Sequence, residues 1–135
     1  MAVKIKPFDT VFSRLVRERA AWQCECCGAR DNLQCAHVFG RIRYTVRCDD
    51  RNAFALCARC HYGFTNDPIA WADFVIKRIG DEGYEELRKV ANRAAKFTKQ
   101  DKADMTAHLR KELKRVEQLR SEGVTGRIEF DGWRV

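Results

Sequence analysis

The chain has 135 residues, a third of them charged, and it carries a formal net charge of +7 at pH 7. This length fits one domain, or one small domain with helical attachments. The sequence has no signal-peptide core and no apolar run of the roughly 20 residues that span a bilayer, so we expect a cytoplasmic protein without a membrane partner. The positive charge favours a polyanionic partner, although ordinary solubility charge would give the same excess.

A first amphipathic helix is predicted near the start of the chain. Asp9 or Thr10 can cap it, and it should run to about Trp22, with its apolar stripe packed on the segment that follows. Its polar face could contact phosphates, but solvated charge is the simpler interpretation. The arginines of that face are Arg14, Arg17 and Arg19.

Two Cys-x-x-Cys pairs dominate the central part of the sequence. The seven cysteines are an odd count, and four of them lie in these pairs, which fits metal ligands in a reducing compartment better than disulfides. The first pair is ambiguous because Cys26 lies inside it, but the usual spacing selects Cys24 and Cys27 and leaves Cys26 as a bystander. The second pair is Cys57 and Cys60.

Two short strands are predicted between the pairs, at about residues 33–38 and 52–56. Their antiparallel pairing would bring both Cys-x-x-Cys pairs to the same end of a hairpin, where four thiolates can complete a tetrahedral zinc site. We therefore predict a structural zinc ion. Cys35, on the first strand, is expected to be a small buried residue rather than a ligand.

The segment between the strands, residues 39–51, is expected to be a very basic loop. Arginine suits bidentate phosphate contact, and a tyrosine ring can stack on a base or a sugar. We therefore predict DNA contact in this loop, with a merely solvated loop as the alternative. The residues predicted to contact DNA are Arg41, Arg43, Tyr44, Arg47 and Arg51.

Three helices and a short terminal strand are predicted after the second cysteine pair. Asn66 or Asp67, followed by Pro68, marks a helix start. Gly80 ends that helix, and Thr98 begins a capping box for the last one. The last helix has a narrow apolar stripe, which suits packing on the rest of the chain or pairing in a homodimer or with a partner protein. The expected ranges are about 67–80, 81–95 and 99–121 for the helices and 127–130 for the strand.

Two of the three histidines lie beside the cysteine framework. One neutral imidazole could take a proton from water, since its pKa lies near working pH, and the other, with a hydrated divalent ion, could stabilise charge on a phosphate. The histidines are His37 and His61, and Asn52 on the second strand could fix the loop that carries the base. The structural alternative is that these side chains only pack around the zinc fold.

The order L-Q-C-A-H, followed by D-x-x-N-A-F-A-L-C-x-x-C-H, resembles the HNH (ββα-metal, His-Me finger) endonucleases over about residues 22–64. The resemblance implies that His37 is the general base that activates water and that Asn52 orients its loop. It also implies that His61 binds a catalytic divalent ion, Mg²⁺ or Mn²⁺, and that the four paired cysteines bind structural zinc. Many members of the family place a metal-binding aspartate or histidine directly before the base, where this chain has Ala36.

Within that family, the segment from Gly40 to Asn52 and the cysteine pair that follows resemble the phage NinG (Rap) recombination nucleases. The pattern G-x-x-x-Y-E-E-L-R from Gly80 shares this similarity. The second resemblance implies action on branched DNA in phage recombination, in the cytoplasm of a phage-infected bacterium. In the alternative in which this is an interaction protein, a phage packaging or recombination protein is the candidate partner of the last helix.

The sequence thus predicts an α+β protein with a small zinc-stapled ββα-metal (HNH) module and flanking α-helices. The module is expected at residues 23–66, between an N-terminal helical segment at 1–22 and a C-terminal helical extension at 67–135. The predicted function is metal-dependent hydrolysis of DNA phosphodiester bonds. A non-catalytic zinc-stapled DNA-binding module and a partner-docking protein are the alternatives.

Overall fold

The computed structural model describes residues 3–135 and contains, within them, four α-helices and one two-stranded antiparallel sheet. The expected α+β class is confirmed. No helix in this range is both long and apolar enough to cross a lipid bilayer. The elements are α1 (Pro7–Arg19), β1 (Leu33–His37), β2 (Ala53–Cys57), α2 (Ala58–Thr65), α3 (Pro68–Ala91) and α4 (Lys99–Ser121), with short 3-10 turns at Tyr44–Val46 and Asp50–Asn52.

Strand β2 is buried along its whole length because the hairpin is covered on both faces. Ala53 and Ala55 join the core formed with α1 and α4, and their small side chains allow α1 to approach closely. On the other face Phe54 packs edge-on against Trp71 and Phe74 of α3. A strand that is buried on both faces is expected to be a continuous apolar run, as A-F-A-L-C is.

Helix α1 begins and ends earlier than predicted. Pro7 occupies the first helical position, where a missing N–H is harmless, and Lys6 is the N-cap. The Asp9 carboxylate accepts a hydrogen bond from the backbone N–H of Lys6 at 2.8 Å, so Asp9 closes the first turn from within the helix. At the other end, Ala21 and Trp22 have positive φ angles of 55° and 56°, a left-handed conformation that cannot continue the helix.

Helix α3 begins at Pro68 as predicted, and the Asp67 side chain accepts a hydrogen bond from the backbone N–H of Ala70 at 3.1 Å. Gly80 interrupts the helical geometry with a φ of 80°, which glycine adopts without the steric cost of a Cβ. The two helical arms predicted on either side of Gly80 are therefore confirmed. The second arm ends at Ala91, four residues before the predicted end at about residue 95.

Helix α4 follows the predicted capping box. The Thr98 hydroxyl accepts a hydrogen bond from the Asp101 N–H, and the Asp101 carboxylate accepts one from the Thr98 N–H. The apolar stripe of α4 packs in the core shared with α1, where Met105, Leu109 and Val116 are fully buried. The face considered for a dimer or a partner contact is therefore already covered by this chain.

The predicted strand at residues 127–130 does not form, since the structure shows no strand there. Residues 127–135, which we name the C-terminal strap, are instead irregular. Ile128 and Phe130 are buried in the core with α1, and the Ile128 N–H donates to the Arg19 carbonyl at 3.2 Å. The alternation of apolar residues therefore identified a buried segment correctly, but this segment does not pair with the sheet.

The end of the C-terminal strap holds the loop that precedes β2. The Trp133 N–H donates to the Cys48 carbonyl at 2.7 Å, and the Arg134 guanidinium donates twice to the Asp50 carboxylate, at 2.7 and 3.0 Å. Gly132 lies against the same loop with no room for a side chain. A Cβ at Gly132 would lie 2.6 Å from the Cys48 carbonyl oxygen and even nearer to the Asp50 amide nitrogen.

Replacing Gly132 with alanine should therefore release the strap from the loop. The added methyl group meets backbone atoms, which cannot move aside as a side-chain end can, and overpacking of this kind destabilises a protein by about 1–3 kcal/mol. We expect the midpoint of thermal unfolding to fall by several degrees. Gly63→Ala is the matched control, because a Cβ on that exposed helical glycine meets nothing within 4 Å. Equal melting of the two variants would contradict the clash.

Candidate functional site

Four cysteine side chains converge at one end of the β1–β2 hairpin. The sulfur atoms of Cys24, Cys27, Cys57 and Cys60 all lie within 4.8 Å of one another, and those of Cys27 and Cys57 are 3.7 Å apart. A tetrahedral zinc ion with Zn–S bonds of about 2.3 Å places its sulfurs about 3.8 Å apart, whereas a disulfide requires about 2.05 Å. The four cysteines therefore fit a structural metal ion such as zinc, as the sequence predicts.

Backbone geometry positions both cysteine pairs. Gly28 has a φ of 81° and closes the first turn, with its N–H donating to the Cys24 carbonyl at 2.9 Å. Cys57 is at once the last residue of β2 and the N-cap of α2, and its sulfur accepts a hydrogen bond from the Cys60 N–H at 3.5 Å. A metal ion bound here would tie the first turn to the junction of β2 and α2.

The pKa values of the thiols differ within the cluster, because burial raises the pKa of Cys60. Hydrogen bonding, chiefly from the Ala29 backbone, lowers the pKa of Cys27 to about 7, which favours the thiolate form that binds metals. Cys26 is exposed and lies outside the cluster, as expected of a bystander. Cys35 and Cys48 also lie outside it, against the core that includes α1, and burial raises the pKa of Cys35 to about 12.

Two histidines line an open cleft between α1 and the β1–β2–α2 unit. His37 is the last residue of β1, and His61 lies in α2, directly after Cys60. Both also line a smaller cavity of about 70 Å³ beside Trp71. The cleft itself has a volume of about 750 Å³, within the usual size of ligand-binding sites. The two histidines singled out in the sequence are therefore brought to one site.

His37 is held as a neutral imidazole with one unengaged nitrogen. Burial lowers the pKa of His37 to about 4, and the positive charge of Arg41 acts in the same direction against the opposing effect of Asp9. The Nε2 atom is buried and has no hydrogen-bond partner within the described residues, so the protein does not engage this ring nitrogen.

Asn52 ties down the loop that follows His37. Its buried side chain accepts a hydrogen bond from the Phe39 N–H at 2.8 Å and donates one to the Phe39 carbonyl at 2.9 Å. The Asn52 carbonyl also accepts a hydrogen bond from the Val38 N–H at 2.8 Å. Three hydrogen bonds thus fix the two residues after His37 to the start of β2. This geometry suits a residue that orients the loop beside a base.

His61 offers one ring nitrogen to the cleft. Its Nδ1 lies 2.7 Å from Gln34 Oε1, so the amide oxygen holds Nδ1 as the protonated nitrogen and leaves Nε2 for a ligand. Ala36 is buried and supplies no ligand atom, and no group of three or more His, Cys or carboxylate side chains within residues 3–135 includes His61. His61 therefore fits one ligand position of a divalent ion, and water and substrate would have to fill the others.

Part of the basic loop faces the protein interior instead of solvent. Arg47 is 1% exposed, forms two hydrogen bonds to the Asp9 carboxylate at 2.6 and 2.9 Å, and lies over the Tyr44 ring at 4.6 Å. Tyr44 packs edge-on against Phe8 and Phe97. The prediction that Arg47 and Tyr44 contact DNA is therefore corrected. Arg47 supports the fold because the buried Asp9 carboxylate requires a cationic partner. Tyr44 supports it through its packing against Phe8 and Phe97.

The three other arginines of the loop differ in their availability. Arg51 forms a two-pronged ion pair with Asp49, at 2.8 and 3.0 Å. Arg43 donates to the Ala91 carbonyl at 3.1 Å, which ties the loop to the end of α3. Arg41 lines the cleft with both histidines and makes no hydrogen bond or ion pair within the described part of the chain. Arg41 is therefore the loop arginine best placed to meet a ligand in the cleft.

The cleft has a second wall that was not predicted from the sequence. Thr10, Ser13 and Arg17 line it from α1, at helical spacings of three and four residues. The only sequence signal for this wall was the polar face of the helix, which repeats with the same period as its apolar stripe. Such a face is normally solvated, so only the packing of α1 across the hairpin reveals that it borders the site.

No family model, no curated protein and no solved structure matches this chain. The functional interpretation therefore rests on three features of the molecule itself. These are the four-cysteine cluster, the two histidines that share a cleft, and the asparagine that fixes the loop between the strands.

Proposed function

We propose that this protein is a DNA endonuclease of the HNH (ββα-metal) type, which hydrolyses phosphodiester bonds in the cleft between α1 and the β1–β2–α2 unit. The observation that carries the proposal is the state of His37, a neutral imidazole whose Nε2 is unengaged and whose loop is tied down by Asn52. A purely structural histidine would be expected to satisfy both ring nitrogens, since a buried polar atom without a partner is unfavourable.

In the proposed mechanism His37 takes a proton from a water molecule through Nε2, and the water oxygen attacks the phosphorus. The unpaired guanidinium of Arg41, on the same cleft, stabilises the negative charge that accumulates on the phosphate oxygens. His61 would hold a divalent ion, Mg²⁺ or Mn²⁺, which neutralises charge on the phosphate and on the leaving 3′ oxygen. The net charge of +7 attracts a polyanionic substrate from solution.

A structural zinc ion would support this site from the other end of the hairpin. Cys57 and Cys60 lie within the four residues before His61 in the chain, so a metal ion on these cysteines fixes the start of the helix that carries His61.

A finer proposal is a recombination nuclease of the phage NinG type that acts on branched DNA. Its support is the sequence pattern from Gly40 to Asn52 and around Gly80.

A non-catalytic DNA-binding module is the second candidate, and Ala36 is the observation that favours it. Many HNH nucleases carry a metal ligand at this position, whereas the Ala36 methyl group packs in the apolar cluster with Leu56. A zinc-stapled fold without a catalytic metal ion would keep the same cleft and the same positive charge. Such a protein would bind DNA without cutting it.

A plasmid-nicking assay on zinc-loaded protein separates the two candidates. We expect supercoiled plasmid to become nicked when Mg²⁺ or Mn²⁺ is present, and to stay supercoiled when the ion is omitted or chelated with EDTA. Zinc content is measured in the same samples, so that loss of the structural ion is not mistaken for loss of a catalytic one. Binding of the plasmid with no nicking in either ion, on linear and branched DNA alike, would establish the binding module instead.

A further inference from the structure

Helix α1 forms a wall of the cleft whose polar face was expected to be solvated. Thr10, Ser13 and Arg17 line the same cleft as His37 and His61. Their spacings of three and four residues place the three side chains on one face of α1, one above another. None of these three side chains takes part in a hydrogen bond or ion pair among residues 3–135. This face therefore presents unused polar groups to the cleft.

Arg17 differs from the other arginines of α1 in having no polar partner. Arg14 pairs with Glu117 at 3.1 Å, and Arg19 donates to two backbone carbonyls at 2.6 Å. The Arg17 guanidinium instead lies over the Trp22 ring, 5.0 Å from its centroid, and its Nε is buried without a hydrogen-bond partner. Stacking on an aromatic ring orients a guanidinium and leaves its in-plane N–H donors available to an anion.

The acidic residue of this wall does not oppose an anion. Asp9 also lines the cleft, but both of its oxygens accept hydrogen bonds from Arg47, and one accepts a further bond from the Lys6 N–H. The Asp9 charge is therefore compensated within the protein. Arg41, in the loop between the strands, lines the same cleft and has no ion pair. Two unpaired arginines, one from α1 and one from the loop, thus border a single cleft.

We propose that Arg17, assisted by the hydroxyls of Thr10 and Ser13, binds a second phosphate of the DNA strand, next to the phosphate attacked beside His37. Arginine, serine and threonine side chains are common donors to phosphate oxygens. A cleft of about 750 Å³ has room for a short stretch of one strand. The proposal rests on the endonuclease function above and adds that a single polynucleotide strand passes between α1 and the hairpin.

Binding of a fluorescent single-stranded DNA oligonucleotide, measured over a range of salt concentrations in the His37→Ala background, tests the site. Arg17→Gln should reduce the slope of log Kd against log salt by about 0.7, the value expected for one phosphate contact on a single strand. Arg17→Lys should restore most of the slope. Arg14→Gln removes the same charge from the same helix outside the cleft and should leave the slope unchanged.

A second variant protects the test against a change of fold. Thr10 is exposed in the first turn of α1, where an acidic residue is compatible with the helix dipole, so Thr10→Glu should fold normally. It should nevertheless weaken binding of the same oligonucleotide several-fold, because a carboxylate then faces the second phosphate. With His37 present, Arg17→Gln should raise KM for the oligonucleotide and leave kcat close to the parent value.

The two levels of the proposal fail in different ways. Parental salt dependence in Arg17→Gln, an equal loss in Arg14→Gln, or parental affinity in Thr10→Glu would overturn the second phosphate site and leave the nuclease intact. The opposite outcome is also possible: the protein never nicks DNA, but Arg17→Gln still reduces the slope of log Kd against log salt. The phosphate site would then stand and the endonuclease function would be overturned. If the parent does not bind the oligonucleotide at all, the phosphate site is overturned directly.

Discussion

Replacing His37 with alanine should slow plasmid nicking by roughly a hundredfold or more, the usual contribution of a general base. The zinc content and the fold should persist, because His37 lies at the end of the hairpin opposite the four cysteines and its ring lines the cleft, with its centroid 5.8 Å from that of Phe12. The measurement is a single-turnover nicking rate with protein in excess over plasmid, which reports chemistry rather than product release.

The matched control is His108→Ala, since His108 is the third histidine of the chain and lies on α4, away from the cleft. Its Nε2 is bonded to the Asp131 carbonyl at 2.9 Å, so it has a structural role. This variant should cut at the wild-type rate. Equal nicking by His37→Ala and wild type would remove His37 from the mechanism, and a loss of zinc or of folded protein in His37→Ala would show that the effect was structural.

The low pKa of His37 also fixes how the wild-type rate should depend on pH. Because burial holds the ring neutral down to about pH 4 in the folded protein, kcat/KM should not fall with a midpoint near 6.5, the ordinary histidine value. The unfolded chain binds this proton at higher pH than the folded chain does. Stability from His37 is therefore complete above about pH 6.5 and is lost as the pH falls towards 4.

Sequence signals predicted the parts of the fold that neighbouring residues determine. The capping box of Thr98 and Asp101, the start of α3 at Pro68 and the break at Gly80 each depend on a few consecutive residues, and each occurs where it was predicted. The same is true of the spacing within the cysteine pairs. The prediction that the two cysteine pairs come together required one further step, the antiparallel pairing of two short strands. A hairpin leaves few other ways to pair them.

Features that depend on distant partners could not be predicted in this way. Arg47 was expected at the surface, because nothing in its own segment indicates that Asp9, far away in the sequence, would draw it into the interior. Arg17 was assigned to solvent for the same reason, although α1 places it on the cleft. In both cases the residue type was compatible with several surroundings, and only tertiary packing selected one of them.

Replacing Cys57 with serine should abolish zinc binding and unfold the β1–β2–α2 unit. The substitution removes a buried ligand, and it removes the sulfur that caps the first turn of α2. Binding of structural zinc contributes about 10–16 kcal/mol in zinc-finger peptides, which is comparable to the whole stability of a domain at about 5–15 kcal/mol. Zinc analysis and hydrogen exchange of the β2 amides would measure the two effects.

Cys26→Ser is the matched control for this prediction, because Cys26 is exposed and its sulfur lies outside the cluster. It should keep the full zinc content and the protection of β2. In Cys57→Ser, α4 should retain more protection than β2, since Met105 and Leu109 pack in the core with α1 rather than against the metal cluster. Loss of zinc with unchanged protection of β2 would mean that the apolar faces of the hairpin hold it without the ion. The cysteines would then position His61 only locally, and nicking by the zinc-free protein would persist.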